Sequence, residues 1–313
     1  ASYPKARYPA ELRQGPAMLL GHLEGVNQGL VLLALDAAVR AEQGDGGGAL
    51  DSLCAAVRLA ESLAEEPVAS SQYTRIRGHE LTLEVAQRVL SRTTPSPEAV
   101  SRLARAVVEA ENRDTFYRAI VGEAVGELAH FTDEVQIRKS MPVVDVAWEV
   151  CPLIRAADFE YCASRLPAVL RAARGTIGER LQYARRGSSP LLMPPWYGIV
   201  SRYISGYEGS FLGHDVRRIA NLRVARVGLA LEQYRLAHGA VPNRLDELVP
   251  EFLDAVPPDA YTDGPLQYLP RGQGFLLYSV GPDGRDSGGL SHEQARERNL
   301  GYNAGDIVFE VRR

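Results

Sequence analysis

The sequence is poor in lysine. Lys5 and Lys139 are the only two in 313 residues, and arginine supplies the rest of the 35 basic side chains. A GC-rich genome produces that bias without any selection for arginine chemistry. With a net charge of −4 and a pI near 6.0, there is no electrostatic footprint for nucleic acid or an anionic membrane. Cysteine is almost as scarce. Cys54, Cys151 and Cys162 form an odd set without CxxC spacing, which indicates neither a disulfide framework nor a zinc site and reads as small interior residues. No run reaches the roughly 18 apolar residues expected of a membrane-spanning helix. The nearest, "GLVLLALDAAV" at 29–39, is too short and carries Asp36.

Familiar catalytic signatures are missing too. There is no G-x-S-x-G elbow, no phosphate loop and no G-x-G-x-x-G. His22, His214, His238 and His292 lie apart without ligand spacing such as His-x-x-x-His. The chain begins "ASYPKARYPA" with no initiator methionine. A processed N-terminus is the expectation, although a trimmed chain would look the same.

What is present is an ordinary globular balance, 45% hydrophobic and 24% charged, in a chain long enough for two domains of about 150 residues. Residues 1 to 15 read as an extended lead-in. A helical pattern then runs for some two hundred residues. Leu32, Leu35, Ala38 and Val39 make one stripe, closed by "GDGGG" at 44–48. Leu50, Leu53, Cys54, Val57, Ala60 and Ala64 make a second, and Pro67 breaks it. Ile76, His79, Leu83, Ala86 and Leu90 mark a third, with His79 read as a core histidine. Ser96 as N-cap, Pro97 at the first helical position and Glu98 start a fourth helix through Leu103 and Val107, continuing or kinking into 116–131. "AADFEYCASRLPAVLRAA" is helical with a bend at Pro167. "RRGSSPLLMPPWYG" is a long loop whose Met193, Trp196 and Tyr197 are expected to tuck against the core.

From His214 one long helix is expected, with Ile219, Leu222, Ala225, Leu229 and Tyr234 inward or nearly so and Gly239 as its stop. "RLDELVPEFL" reads as a short helix, and "PLQYLP", "GFLLYSV" and "DIVFEVR" as three short strands.

Two places carry chemistry. In "GPDGRDSGG" at 281–289, Asp283, Asp286 and Ser287 stand among glycines. Pro282-Asp283-Gly284 is good turn chemistry in its own right. The same carboxylates and hydroxyl, with carbonyls turned inward by flexible glycines, are also the oxygen donors a calcium ion takes. Both readings stand on the residues alone. In "GELAHF", Glu127 and His130 form Glu-x-x-His, with Glu123 a turn earlier. A di-iron site needs that motif twice, so a surface acidic stripe is the preferred reading. Arg165, Arg171, Arg174, Arg180, Arg185 and Arg186 read as a solvated face.

The ordered series "YRLAHGAVP" (234–242), "PDAYTDGPLQY" (258–268), "SVGPDGRDSGG" (279–289) and "GDI" (305–307) resembles the C-terminal globular part of the major pseudopilins of type II secretion systems. The resemblance covers about the last hundred residues. It implies an α+β module whose loop holds calcium through Asp283, Asp286 and Ser287, with Asp306 returning from the last strand. The connection "LSHEQARERNLGYNA" is longer than that family's, and the apolar helix by which pilins enter a filament does not precede the motif series. The module is therefore expected as a borrowed domain rather than a pseudopilus subunit.

The helical remainder resembles uncharacterised proteins of planctomycete-type bacteria. Its helix, glycine-rich turn and helix around 44–63 are similar to a tetratricopeptide hairpin, without a second copy at 34-residue spacing.

The expected fold is thus mainly α. An irregular antiparallel helical body occupies 1–213, and a pseudopilin-like α+β module with a small antiparallel sheet occupies 214–313. The expected function is a non-catalytic, extracytoplasmic structural or protein-interaction protein with protein partners, self-associating or part of a larger assembly. A metal-dependent enzyme around Glu123, Glu127 and His130, and a cytoplasmic helical adaptor, are the alternatives.

Overall fold

A computed structural model describes residues 20–132, 152–187, 207–300 and 304–313. The lead-in before residue 15, Cys151 and the segment with Met193, Trp196 and Tyr197 lie outside them. The described residues are mainly helical, with nine α-helices and one three-stranded antiparallel sheet. None of these helices is long and apolar enough to cross a membrane. Two compact units emerge among the described residues, each drawn from separate stretches of chain: one from 20–24, 63–73, 114–132, 152–187 and 207–215, the other from 25–62, 74–113, 216–300 and 304–313.

The second unit carries most of the regular structure. It takes in α1 (His22–Glu42) from Gly25 onward, α2 (Gly46–Glu61), α3 (Ala69–Arg92) from Thr74 onward and α4 (Pro97–Asn112). The Asp45 carboxylate caps α2 by accepting from Gly48 N at 2.8 Å. Ser96 caps α4, with Pro97 at the first position, where a missing N–H costs nothing. The stripe Leu50, Leu53, Cys54, Val57 and Ala60 of α2 is buried and packs on α4, which contributes Val100, Leu103 and Val107. All five stripe residues of α3 are buried as well. Cys54 is a free interior thiol.

On α1 the structure differs from the expected stripe. The buried side is Val26, Leu30, Ala34, Ala37 and Ala41, while Leu32, Leu35 and Val39 stand in solvent. Small residues and glycines let α1 approach closely: a Cβ on Gly29 would lie 2.8 Å from a Leu59 methyl, and one on Gly78 would lie 2.9 Å from Leu30. The fourth helix also stops earlier than expected, at Asn112, where Arg113 leaves helical geometry.

Under α2 and α3 lies a buried ionic network. Arg75, fully buried, grips Glu61 with Nε at 2.7 Å from Oε1 and Nη2 at 3.1 Å from Oε2, and also donates to the Arg113 carbonyl. His79, 1% exposed, sets its Nε2 3.0 Å from Glu61 Oε1. These partners outweigh burial and hold the Glu61 carboxyl at about 2, while burial pushes His79 below its ordinary value.

A long helix, α8 (Tyr207–His238), and the sheet complete this unit. That helix begins at Tyr207, earlier than the expected start at His214, and runs to His238; its part from Val216 buries Ile219, Leu222, Ala225 and Leu229. Gly239 ends it at φ +77°. The expected short helix is only a 3-10 turn, Leu245–Leu248. Strands β1 (Gln267–Arg271), β2 (Gly274–Ser279) and β3 (Ile307–Val311) pair antiparallel in the order β1-β2-β3, with Leu276 opposite both Leu269 and Glu310. The central strand β2 is buried throughout. Phe309 of β3 lies flat on the long helix at Gly228, where a Cβ would come within 2.5 Å of the ring, so glycine here makes room for the sheet. The outer edge of β3 is met by α3: Glu310 N donates to Gln87 Oε1 at 2.8 Å and Arg312 N to Ser91 Oγ at 3.1 Å.

The first unit includes α5 (Phe116–Thr132), which packs on α6 (Pro152–Arg174), followed by α7 (Ile177–Gly187). Pro167 sits inside α6, as expected. Phe116 stacks on Phe211 with ring centres 4.1 Å apart, and Tyr73 meets Phe211 edge-on. Arg180 is 5% exposed and joins Asp215 at 2.6 Å and Asp114 at 2.5 Å. The Gln72 amide donates to the carbonyls of Leu63, Ala64 and Glu66. Cys162 is buried.

Candidate functional site

The acidic loop leaves β2 at Ser279 and is shaped by its glycines. Gly281, Gly284, Gly288 and Gly289 all have positive φ. Gly281 is also pressed against the returning chain: a Cβ there would lie 2.3 Å from the Gly305 carbonyl oxygen, which no side chain tolerates. A turn closes with Gly284 N donating to Gly281 O at 3.2 Å, and the Asp283 carboxylate accepts from Arg285 N at 3.1 Å. The turn reading of Pro282-Asp283-Gly284 is therefore met in full.

The loop does more than turn. Asp306, 2% exposed, comes back from the start of β3. Its Oδ1 accepts from Ser287 N at 3.3 Å and its Oδ2 from Gly289 N at 2.7 Å, while its own N–H donates to the Leu290 carbonyl. Asp286 accepts at Oδ1 from the Tyr278 hydroxyl at 3.1 Å and from Gly288 N at 2.8 Å. Burial, together with the charges of Asp286 and Asp283, pushes the Asp306 carboxyl above the usual carboxylate range, against the pull of its two N–H donors. Burial and the neighbouring Asp286 and Asp306 push the Tyr278 phenol up to about 12.

Of the four candidate ligands, the fold brings Asp306 and Ser287 into direct contact through the backbone and sets Asp286 within electrostatic reach. Asp283 stays at the exposed tip and acts on Asp306 only through its charge. Among the described residues no three His, Cys, Asp or Glu side chains are gathered as a ready ligand set. The donor chemistry nevertheless suits a hard cation. Asp283 and Asp286 each keep an oxygen, Oδ2, that accepts no hydrogen bond among the described residues, and their charges raise the cost of ionising Asp306.

The residue that sequence reasoning missed is Asp259, 1% exposed. Its carboxylate accepts from Tyr261 N at 2.8 Å and from Val280 N at 3.0 Å, and so anchors the first residue of the loop. The signal available was an aspartate two residues before a tyrosine in a turn-rich segment, which is the pattern of an Asx turn. Also missed was α9 (His292–Glu297), which fills the long connection before β3. Ser291 and Gln294 form a reciprocal capping box there, a spacing readable in the sequence.

The loop borders an open groove of about 1390 Å³ whose other walls include Arg88, Arg92, Arg217 and Arg271. Each of these is paired with a carboxylate: Glu84, Glu42, Glu80 and Glu310 respectively. The groove is thus polar but balanced in charge.

The alternative Glu-x-x-His site is less developed. Glu123 accepts from Ala69 N, the first residue of α3, and burial pushes its carboxyl upward. It serves as a cap supplied from another helix. The side chains of Glu127 and His130 lie outside the described residues.

Comparison with known proteins returned no matching family model, no matching curated protein and no matching solved structure.

Proposed function

We propose that this chain is a non-catalytic structural or protein-interaction protein that self-associates, with a C-terminal module of pseudopilin-like kind locked by calcium. The observation that carries the reading is the return of buried Asp306 from the last strand onto the glycine-shaped loop at Ser287 and Gly289, where the charges of Asp286 and Asp283 act on it. A bound calcium ion would supply two positive charges to a loop that has an excess of negative ones. Asp306 and Ser287, with Asp286 and Asp283, are the residues that would hold it. Asp306 already ties β3 to Ser287 and Gly289, so an ion at this carboxylate would fasten the closing strand to the loop after β2. An extracytoplasmic home follows from the same reading, because calcium is abundant there.

The test is thermal unfolding of the parent and of Asp283→Ala, each with calcium and with excess chelator. The expected result is a midpoint that falls on chelation in the parent and not in the variant. Equal midpoints in the parent would leave the loop as a plain turn and remove the ground for both the ion and the location.

A further inference from the structure

The outer side of α1 is apolar where a surface helix is ordinarily charged. Val31, Leu32, Leu35 and Val39 are 50%, 65%, 57% and 54% exposed, and they lie on the side opposite Val26, Leu30, Ala34, Ala37 and Ala41. In the same unit, α4 turns Glu98, Arg102, Arg105 and Glu109 to solvent. Single exposed aliphatics are normal, but four at i, i+1, i+4 and i+8 make one contiguous stripe.

We propose that this stripe is the surface on which a second copy of the chain docks, α1 against α1, antiparallel about a twofold axis at Leu35. The proposal rests on the self-association read above and names its surface. Three observations select a copy over other partners. Antiparallel pairing about Leu35 sets apolar against apolar, Val31 against Val39 and Leu32 against Ala38. A twofold interface requires this self-complementarity.

The charged residues beside the stripe also argue against a lipid surface. Asp36 and Arg40 are paired to each other at 2.8 Å, and Glu42 is held by Arg92. An interfacial membrane helix wants unpaired Lys and Arg in those places. Finally, the area is modest. With Gln28, Ala38 and Glu42 at the rim, two copies would bury on the order of 1,000 Å² in total, at the low end of specific interfaces. The contact is therefore weak and concentration-dependent, as suits one joint of a larger assembly.

Sedimentation equilibrium of the full chain over a hundredfold concentration range tests this, with Leu35→Asp alongside. Leu35 is exposed, so the variant is expected to fold with an unchanged unfolding midpoint and to associate at least tenfold more weakly. Leu35→Cys, on the axis, is expected to form a disulfide-linked dimer under mild oxidation faster than Arg105→Cys on the charged face of α4. If the parent associates and Leu35→Asp associates equally well, the α1 surface is wrong while self-association stands. If the parent stays monomeric throughout, both fall. Loss of association in Leu35→Asp without faster cross-linking of Leu35→Cys would overturn the twofold geometry.

Discussion

Two places in the second unit gather charge, and they settle it in opposite ways. Around Glu61 the carboxylate, 11% exposed, has its answer beside it: the Arg75 fork, His79 at 3.0 Å and Arg113 at 3.5 Å. Its carboxyl is held at about 2. Around Asp306 the carboxylate is buried among other carboxylates, receives only backbone N–H groups, and is pushed upward. The difference teaches where a site is complete within the chain and where it calls for something from outside. A carboxylate beside a guanidinium keeps its charge in the interior; a buried carboxyl near other carboxylates is pushed toward its neutral form, and that is the cost the proposed cation would relieve.

The strongest way to break the contrast is Arg75→Met. It leaves Glu61 buried without its bidentate partner and is expected to cost about 3–5 kcal/mol in urea unfolding. A loss under about 1 kcal/mol would mean that His79 and Arg113 suffice.

Acid titration sharpens it next. Glu61 is depressed from 4.5 to about 2, so its contribution is present above 4.5 and lost as the pH falls toward 2, on the order of 3 kcal/mol. His79, depressed from 6.5 by burial, begins the same loss once the pH falls below 6.5. Asp306 has the opposite sign. Raised above 3.8, it favours the ion-free native state at low pH, and that contribution fades as the pH rises through its folded value. Urea titrations from pH 7 to 3 should show the net fall; a flat profile would contradict the network's role.

At the loop, calcium at a hundred times its dissociation constant should add about 2.7 kcal/mol. The increment should shrink as the pH falls toward the raised folded value of Asp306, because Asp306 must shed its proton to bind. An increment independent of pH would remove Asp306 from the ligand set. The smallest effect is expected from Ser291→Ala, which opens the capping box of α9 for about 1 kcal/mol. It should weaken calcium binding too if α9 holds Asp306 in place through the bridge between Ser291 and Asp306.

Much of the fold was legible from periodicity and punctuation. The faces of α2 and α3, the Ser96 cap, the stop at Gly239 and all three strands stand where the residues placed them. The stripe on α1 shows the limit. Periodicity revealed that Leu32, Leu35 and Val39 share a face, but not which face meets the neighbours. Ala34, Ala37 and Ala41 won the interior because their smallness lets helices close to contact distance, a property of the partner surface as much as of α1. At the loop, Asp283, Asp286 and Ser287 were readable as a cluster. Asp259 was not, because its role depends on a backbone N–H at Val280 that only the folded chain brings to it.

The helix beside β3 has a consequence for how this molecule can build anything larger. Gln87 and Ser91 occupy donors on the outer edge of β3, and at the opposite edge Pro270 deprives β1 of one. A sheet finished in this way is a poor template for a strand from a neighbour. Strand addition at these edges is thus disfavoured, and crowding the protein should not tip it toward cross-β fibres.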